Sequence, residues 1–183
     1  MIVAPTGSGK TLAAFLCCLD ELDQLGRHEG LPRGVHTLYV SPLKALSVDI
    51  ERNLRAPLRG LAVAAAALGL PVVEPRVAVR TGDTPARERA ALLRRPPQLL
   101  ITTPESLFLL LASPRVLPHL ATTRYVIVDE VHALVGNKRG ASLAFCLERL
   151  AELTERPTVR IGLSATVQPL PEAAERLRRA DLV

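Results

Sequence analysis

Six short apolar runs, each followed by a helical stretch, limit this chain to one class of fold. The runs are Met1–Ala4, His36–Ser41, Arg76–Arg80, Gln98–Thr102, Tyr125–Asp129 and Arg160–Ser164. Most are apolar at successive rather than alternate positions, the pattern of a strand covered on both faces. Between them the spacing predicts a helix over Lys10–Leu25, with Leu12, Phe15, Leu16, Leu19 and Leu22 on one stripe. Further helices are expected near 44–54, 58–68, 85–93, 104–111 and 141–153, and from Pro171 onward. Thr84-Pro85 and Thr103-Pro104 each set a capping threonine before a proline at the first helical position. Strand and helix in alternation build a parallel sheet with right-handed crossovers and helices on both faces, a three-layer α/β/α domain.

A length of 183 residues suits one domain, without internal repeats or an obvious linker. With 48% hydrophobic and 22% charged residues, the chain is neither disordered nor fibrous. The balance of 23 basic against 18 acidic residues, a net charge of +5, permits a polyanionic partner without demanding one. Cys17, Cys18 and Cys146 cannot all pair and lack CxxC spacing, which points to reduced core thiols and a cytoplasmic location. The stretch from Leu61 to Val73 is interrupted by Pro71 and is too short to cross a bilayer, and the opening residues do not read as a secretory signal; no membrane partner is expected. The five aromatic residues, Phe15, Tyr39, Phe108, Tyr125 and Phe145, all sit in apolar runs and read as core.

The segment Ala4-Pro5-Thr6-Gly7-Ser8-Gly9-Lys10-Thr11 joins a strand to a helix. It fits a phosphate-binding loop, with Ala4 where the first glycine of that pattern stands. Gly7 and Gly9 let the loop turn so that successive N–H groups point inward at phosphate oxygens. Lys10 adds a point charge on the β and γ phosphates, and Thr11 offers a hydroxyl to Mg²⁺. A partner site should be a second strand ending in an acid, and Tyr125-Val-Ile-Val-Asp129-Glu130 supplies it. Asp129 is the candidate for holding Mg²⁺ through water, and Glu130 for orienting or deprotonating the attacking water.

Asp129-Glu130-Val131-His132, taken with Ser164-Ala165-Thr166, resembles the DExH motif and motif III of a superfamily 2 helicase. Ser41-Pro-Leu-Lys44-Ala-Leu46 looks like motif Ia, Arg80-Thr-Gly82-Asp-Thr84 like the Gly-Asp motif, and Thr102-Thr103-Pro-Glu-Ser-Leu107 like motif Ib. The run from Asp129 to Gly140 is similar to the large helicase-related (Lhr) family, with the ligase-associated DEXH-box helicases as close relatives.

That resemblance implies a RecA-like lobe, the first of two, in an ATP-driven 3′-to-5′ translocase on single-stranded DNA or a DNA/RNA hybrid, with a family link to DNA repair. It implies ATP and Mg²⁺ as cofactors. It makes Ser164, Thr166 and His132 the coupling residues between nucleotide state and strand. Ser41, Gly82 and Thr103 follow strands and, with Lys44 and Arg80, become the candidate strand contacts, through backbone N–H groups, hydroxyls and helix dipoles that meet phosphates without reading bases. Binding should be backbone-directed and sensitive to salt. The chain reads as residues 1–183 of a longer protein cut at both ends. The upstream adenine-recognition segment and the second lobe lie outside it, as does the lobe's arginine, worth roughly 10³–10⁵ in rate. The competing readings are a non-catalytic nucleic-acid-binding fragment and another class of P-loop ATPase.

Overall fold

The computed structural model describes residues 1–5, 7–42, 44–165, 175 and 179, apart from the side chains of 44–49, 52 and 53. Thr6, Thr166 and, apart from Glu175 and Arg179, the helix expected from Pro171 lie outside the described residues. Six strands form one parallel sheet: β1 (Ile2–Val3), β2 (Thr37–Val40), β3 (Val77–Arg80), β4 (Leu99–Thr102), β5 (Tyr125–Val128) and β6 (Val159–Ser164). Their order across the sheet is β1-β6-β5-β2-β4-β3.

The unbroken apolar runs have a direct explanation in this sheet. Leu38, Val40, Leu100, Val126 and Val128 point to one face and join the larger core. Tyr39, Leu99, Ile101 and Ile127, their immediate neighbours in sequence, point to the other. Period-two geometry feeds both cores at once, so neither face can be polar. The second face is covered by α1 (Lys10–His28) and α2 (Lys44–Ala67), which contribute Ala14, Phe15, Cys18, Leu19, Leu22, Ile50 and Leu54. The first is covered by α4 (Pro104–Leu111), α5 (Leu117–Leu120) and α6 (Lys138–Leu153), which contribute Leu107, Leu111, Leu120, Leu143, Cys146, Leu147 and Leu150. Each such leucine contributes about 1.5–3 kcal/mol when fully buried. The remaining helix, α3 (Ala86–Arg94), buries none of its residues.

Several expectations need correcting. The helices expected near 44–54 and 58–68 are one helix, α2, which runs through Pro57. One lost N–H bond does not break it, because Ile50 and Leu54 before the proline and Ala65 after it are buried. The buried stripe of α1 is Ala14, Phe15, Cys18, Leu19 and Leu22, whereas Leu12 and Leu16 are exposed. Cys17 is exposed, and only Cys18 and Cys146 are core thiols, with burial pushing Cys18 up to about 12 and Cys146 up to about 11. Phe108 and Phe145 are half-exposed, their rings 6.4 Å apart on α4 and α6, and are not core. Thr84 does not cap α3; its hydroxyl accepts instead from the Thr81 N–H at 2.9 Å, closing the preceding turn. Thr103 does cap α4, accepting from Ser106 N–H at 3.3 Å. Among the described residues, no helix is long and apolar enough to cross a membrane.

Candidate functional site

Parallel strands bring every strand's carboxyl end to one edge, and the register fixes what meets there. Val40 pairs with both Thr102 and Val128, Arg80 pairs with Thr102, and Val3 pairs with Ser164. The edge therefore divides in two. Ala4, Ser164 and Asp129 follow or end β1, β6 and β5 on one half, while Ser41, Thr103 and Thr81 follow β2, β4 and β3 on the other.

The first half holds the phosphate loop. Gly7 and Gly9 have φ of 82° and 85°, left-handed values that suit glycine and turn the chain into α1. Unlike α4 and α6, whose first turns are capped by Thr103 and Asn137, α1 has no capping side chain and no acid in its first turn. Its leading N–H groups and dipole therefore face the loop without a local anion. Lys10 opens the helix and is buried at 8% exposure, and Thr11 follows it. Pro5 and Ser8 are exposed, with Ser8 N–H donating to Pro5 O at 3.2 Å.

Asp129 ends the buried run of β5 and is 5% exposed. Its Oδ1 accepts from Glu130 N–H at 2.9 Å and its Oδ2 accepts from the Tyr39 hydroxyl. The Thr11 side chain lies near the same hydroxyl and acts on its titration. Thr11 and Asp129, from elements separated by β6, thus lie around one hydroxyl. They supply a hydroxyl and a carboxylate, the hard donors that suit a magnesium ion completed by phosphates and water. Burial, then the Asp129 carboxylate, push the Tyr39 phenol well above its ordinary pKa, so it remains a neutral donor.

Glu130 takes a left-handed backbone conformation, φ 49° and ψ 46°, and leads into a 3-10 turn at Val131–Ala133. The turn places His132 between two partners: its Nε2 is 3.3 Å from Glu130 Oε2, and its Nδ1 is 2.8 Å from Ser164 Oγ at the end of β6. The DExH turn and the Ser-Ala-Thr segment are physically joined through that imidazole.

The second half of the edge differs from its expected form. Gly82 is exposed. Ser41 and Thr103 are buried, at 0% and 1% exposure, and the Thr103 hydroxyl is committed to its helix cap. Arg80, a candidate strand contact, is also buried, at 8% exposure. Its guanidinium donates to Thr81 O beside a cavity of about 180 Å³ walled by Leu92, Leu93, Leu100 and Leu110. Desolvation, then neighbouring Arg89, lower its pKa. Lys44 opens α2, and its side chain lies outside the described residues.

Three functional candidates escaped sequence reasoning. Tyr39 looked like core because it lies in mid-strand. Arg89 donates to Gly82 O and Thr84 O, both at 2.7 Å, and so pins the Gly-Asp turn. Arg139 donates to Glu105 Oε1 at 2.6 Å and to Pro42 O at 2.8 Å, tying the DExH-following helix to the segments after β2 and β4. The Asn-Lys-Arg-Gly spelling around Arg139 was a signal of family only.

A parallel sheet with a glycine loop and a DExH turn at one edge is the arrangement of a RecA-like P-loop domain. The family of DEAD/DEAH box helicases matches residues 1–174, and the chain belongs to that family. It is 55% identical over 177 residues to the Lhr helicase/probable uracil glycosylase of Mycolicibacterium smegmatis, covering 97% of this chain and 12% of that protein. ATP-dependent helicase Lhr-Core protein 2 of Thermococcus barophilus is 52% identical over 175 residues, 96% of this chain and 20% of that one. The solved structure of Mycobacterium smegmatis helicase Lhr bound to ssDNA and AMP-PNP superposes with a TM-score of 0.87 at 55% identity, covering 96% of this chain and 22% of that one. The chain thus spans about a fifth or less of the length of these relatives.

Proposed function

We propose that this chain is the first RecA-like motor lobe of an Lhr-type ATP-dependent helicase, with the second lobe supplied by a longer protein. The observation that carries the reading is the shared edge of β1, β6 and β5, where Thr11 of the phosphate loop lies near the Tyr39 hydroxyl that donates to Asp129. The likeness to a helicase solved with ssDNA and AMP-PNP supports the same assignment.

In this reading, the loop N–H groups and Lys10 bind the triphosphate. Thr11 and Asp129 would hold magnesium, Asp129 through water; the ion would neutralise charge developing on the phosphates. Glu130 orients the attacking water and accepts its proton. His132 carries the state of Glu130 to Ser164, and Arg139 extends the connection to the strand half of the edge. There the first turns of α2 and α3 offer N–H groups to a single-stranded DNA or hybrid backbone, with specificity for phosphate rather than base. Closure of a second lobe would bring the arginine that completes the hydrolytic site, and alternate closing and opening would move the lobe 3′-to-5′ along the strand.

Titration of a mant-labelled adenine nucleotide in Mg²⁺ tests the assignment. Lys10→Ala removes a charge-assisted contact of about 1.5–3 kcal/mol and should weaken binding roughly 10- to 100-fold. Equal binding by wild type and variant would mean the loop is not a working site. Anisotropy of labelled single-stranded DNA at two salt concentrations checks the strand face, and binding indifferent to salt would contradict backbone recognition.

A further inference from the structure

Tyr39 is the penultimate residue of β2, a strand that carries no nucleotide motif. Its ring is 1% exposed and stacks on Phe15 of α1, with centroids 5.3 Å apart and planes at 15°. Phe15 lies one helical turn after Thr11, so the ring stacks on the same helix that brings Thr11 near the hydroxyl. A phenylalanine would fill this packing equally well. The hydroxyl needs a separate reason, since burying it is unfavourable unless it is hydrogen-bonded. Its partners supply one. Thr11 hangs from β1 through the phosphate loop, and Asp129 hangs from β5; β6 separates the two strands. Tyr39 reaches across from β2, donates to Asp129 and lies near Thr11. Asp129 is then held at both oxygens, by the Tyr39 hydroxyl on Oδ2 and by the Glu130 N–H on Oδ1, which fixes the plane of the carboxylate.

We propose that Tyr39 is a positioning residue for the metal: its hydroxyl, donating to Oδ2, holds the Asp129 carboxylate in the orientation that a magnesium–nucleotide complex beside Thr11 requires. This rests on the nucleotide-site reading above. Magnesium holds to near-ideal octahedral geometry and takes few protein ligands, so a small error in either donor is felt directly. Hydrogen-bonding partners behind metal ligands are worth about 10- to 100-fold in affinity. The Tyr39 hydroxyl is buried and spent on the Asp129 carboxylate, so its contribution should depend on the ion.

The test separates metal from nucleotide. Mant-ADP is titrated into wild type, Tyr39→Phe and Lys10→Ala, first in EDTA and then across a range of Mg²⁺. Tyr39→Phe should bind mant-ADP as wild type does in EDTA, yet need about tenfold more Mg²⁺ to reach its half-maximal response. An unchanged Mg²⁺ midpoint, or an equal loss with and without the ion, overturns the proposal and leaves the nucleotide site standing, provided Lys10→Ala binds poorly. Should Lys10→Ala bind like wild type, both readings fail together. A second measurement does not depend on how well the variant folds. The chain has two tyrosines, so 3-fluorotyrosine labelling gives two ¹⁹F resonances, assigned with Tyr125→Phe. Adding Mg²⁺ to the ADP complex should shift the Tyr39 signal and leave Tyr125 in place; a stationary Tyr39 signal overturns the proposal.

Discussion

A tyrosine gives its hydroxyl proton to a carboxylate at each end of the sheet, and the two pairs lead to different outcomes. At the carboxyl edge Tyr39 donates to Asp129, and at the amino edge Tyr125 donates to Glu21. The amino-edge pair belongs to a cluster that closes on itself. His36 lies 3.8 Å from Glu21 and 5.4 Å from the Tyr125 ring, and Arg124 lies 3.9 Å from Glu21. Ordinary backbone surrounds it. At the carboxyl edge the pair is bordered by Gly7, Gly9 and Glu130, all left-handed, and by a helix start without a cap. The backbone around each pair, more than the pair itself, sets the two ends apart.

Glycines offer the strongest contrast. At Gly34, beside the amino edge, an added methyl group would meet the Thr122 hydroxyl and stand 2.7 Å from His119 O. Gly34→Ala should lower unfolding stability by about 1–3 kcal/mol in urea, without touching nucleotide binding. At Gly9 nothing lies within 4 Å of an added methyl, and the difficulty is φ alone. Gly9→Ala should cost roughly 1–2 kcal/mol and also weaken mant-nucleotide binding. If both variants spare the nucleotide, the loop is not shaped by its ligand.

Removing the second hydroxyl sharpens the Tyr39 proposal. Tyr125→Phe should lower the melting temperature by about 2–4 °C, as one hydrogen bond worth about 1 kcal/mol is lost, while the Mg²⁺ midpoint stays fixed. A shifted midpoint would erase the distinction between the ends.

The smallest effect is in pH. Burial lowers the pKa of His36, with Arg124 adding and Glu21 opposing. The folded chain therefore resists a proton that the unfolded chain accepts. Stability from this residue is complete above histidine's ordinary pKa of about 6.5 and is lost as pH falls below it. Melting curves between about pH 7 and 5 should be flatter for His36→Gln than for wild type; parallel curves would remove His36 from the account.

Much of the architecture was legible because strand length and apolar continuity report directly on a parallel sheet. The phosphate loop and the DExH acids were legible because their chemistry admits few residue types. Tyr39, Arg89 and Arg139 were not, because their partners lie far away in sequence: Asp129 is 90 residues from Tyr39, and Glu105 is 34 from Arg139. Arg80, Ser41 and Thr103 were legible as residents of the right edge but not in their burial, which depends on how closely β2, β4 and β3 pack. Pro57 misled because its cost to a helix is fixed, whereas the anchoring that offsets it is tertiary.

Glu130 is the lone non-glycine residue with positive φ among the described residues. Glutamate is a poor occupant of that conformation, and glycine or asparagine would relax it by the order of 1 kcal/mol. Two selective pressures therefore pull in opposite directions at a single codon. On the proposed motor reading, a descendant that no longer hydrolysed nucleotide would gain stability by drifting to Gly or Asn here, so the residue at this position would report on that use.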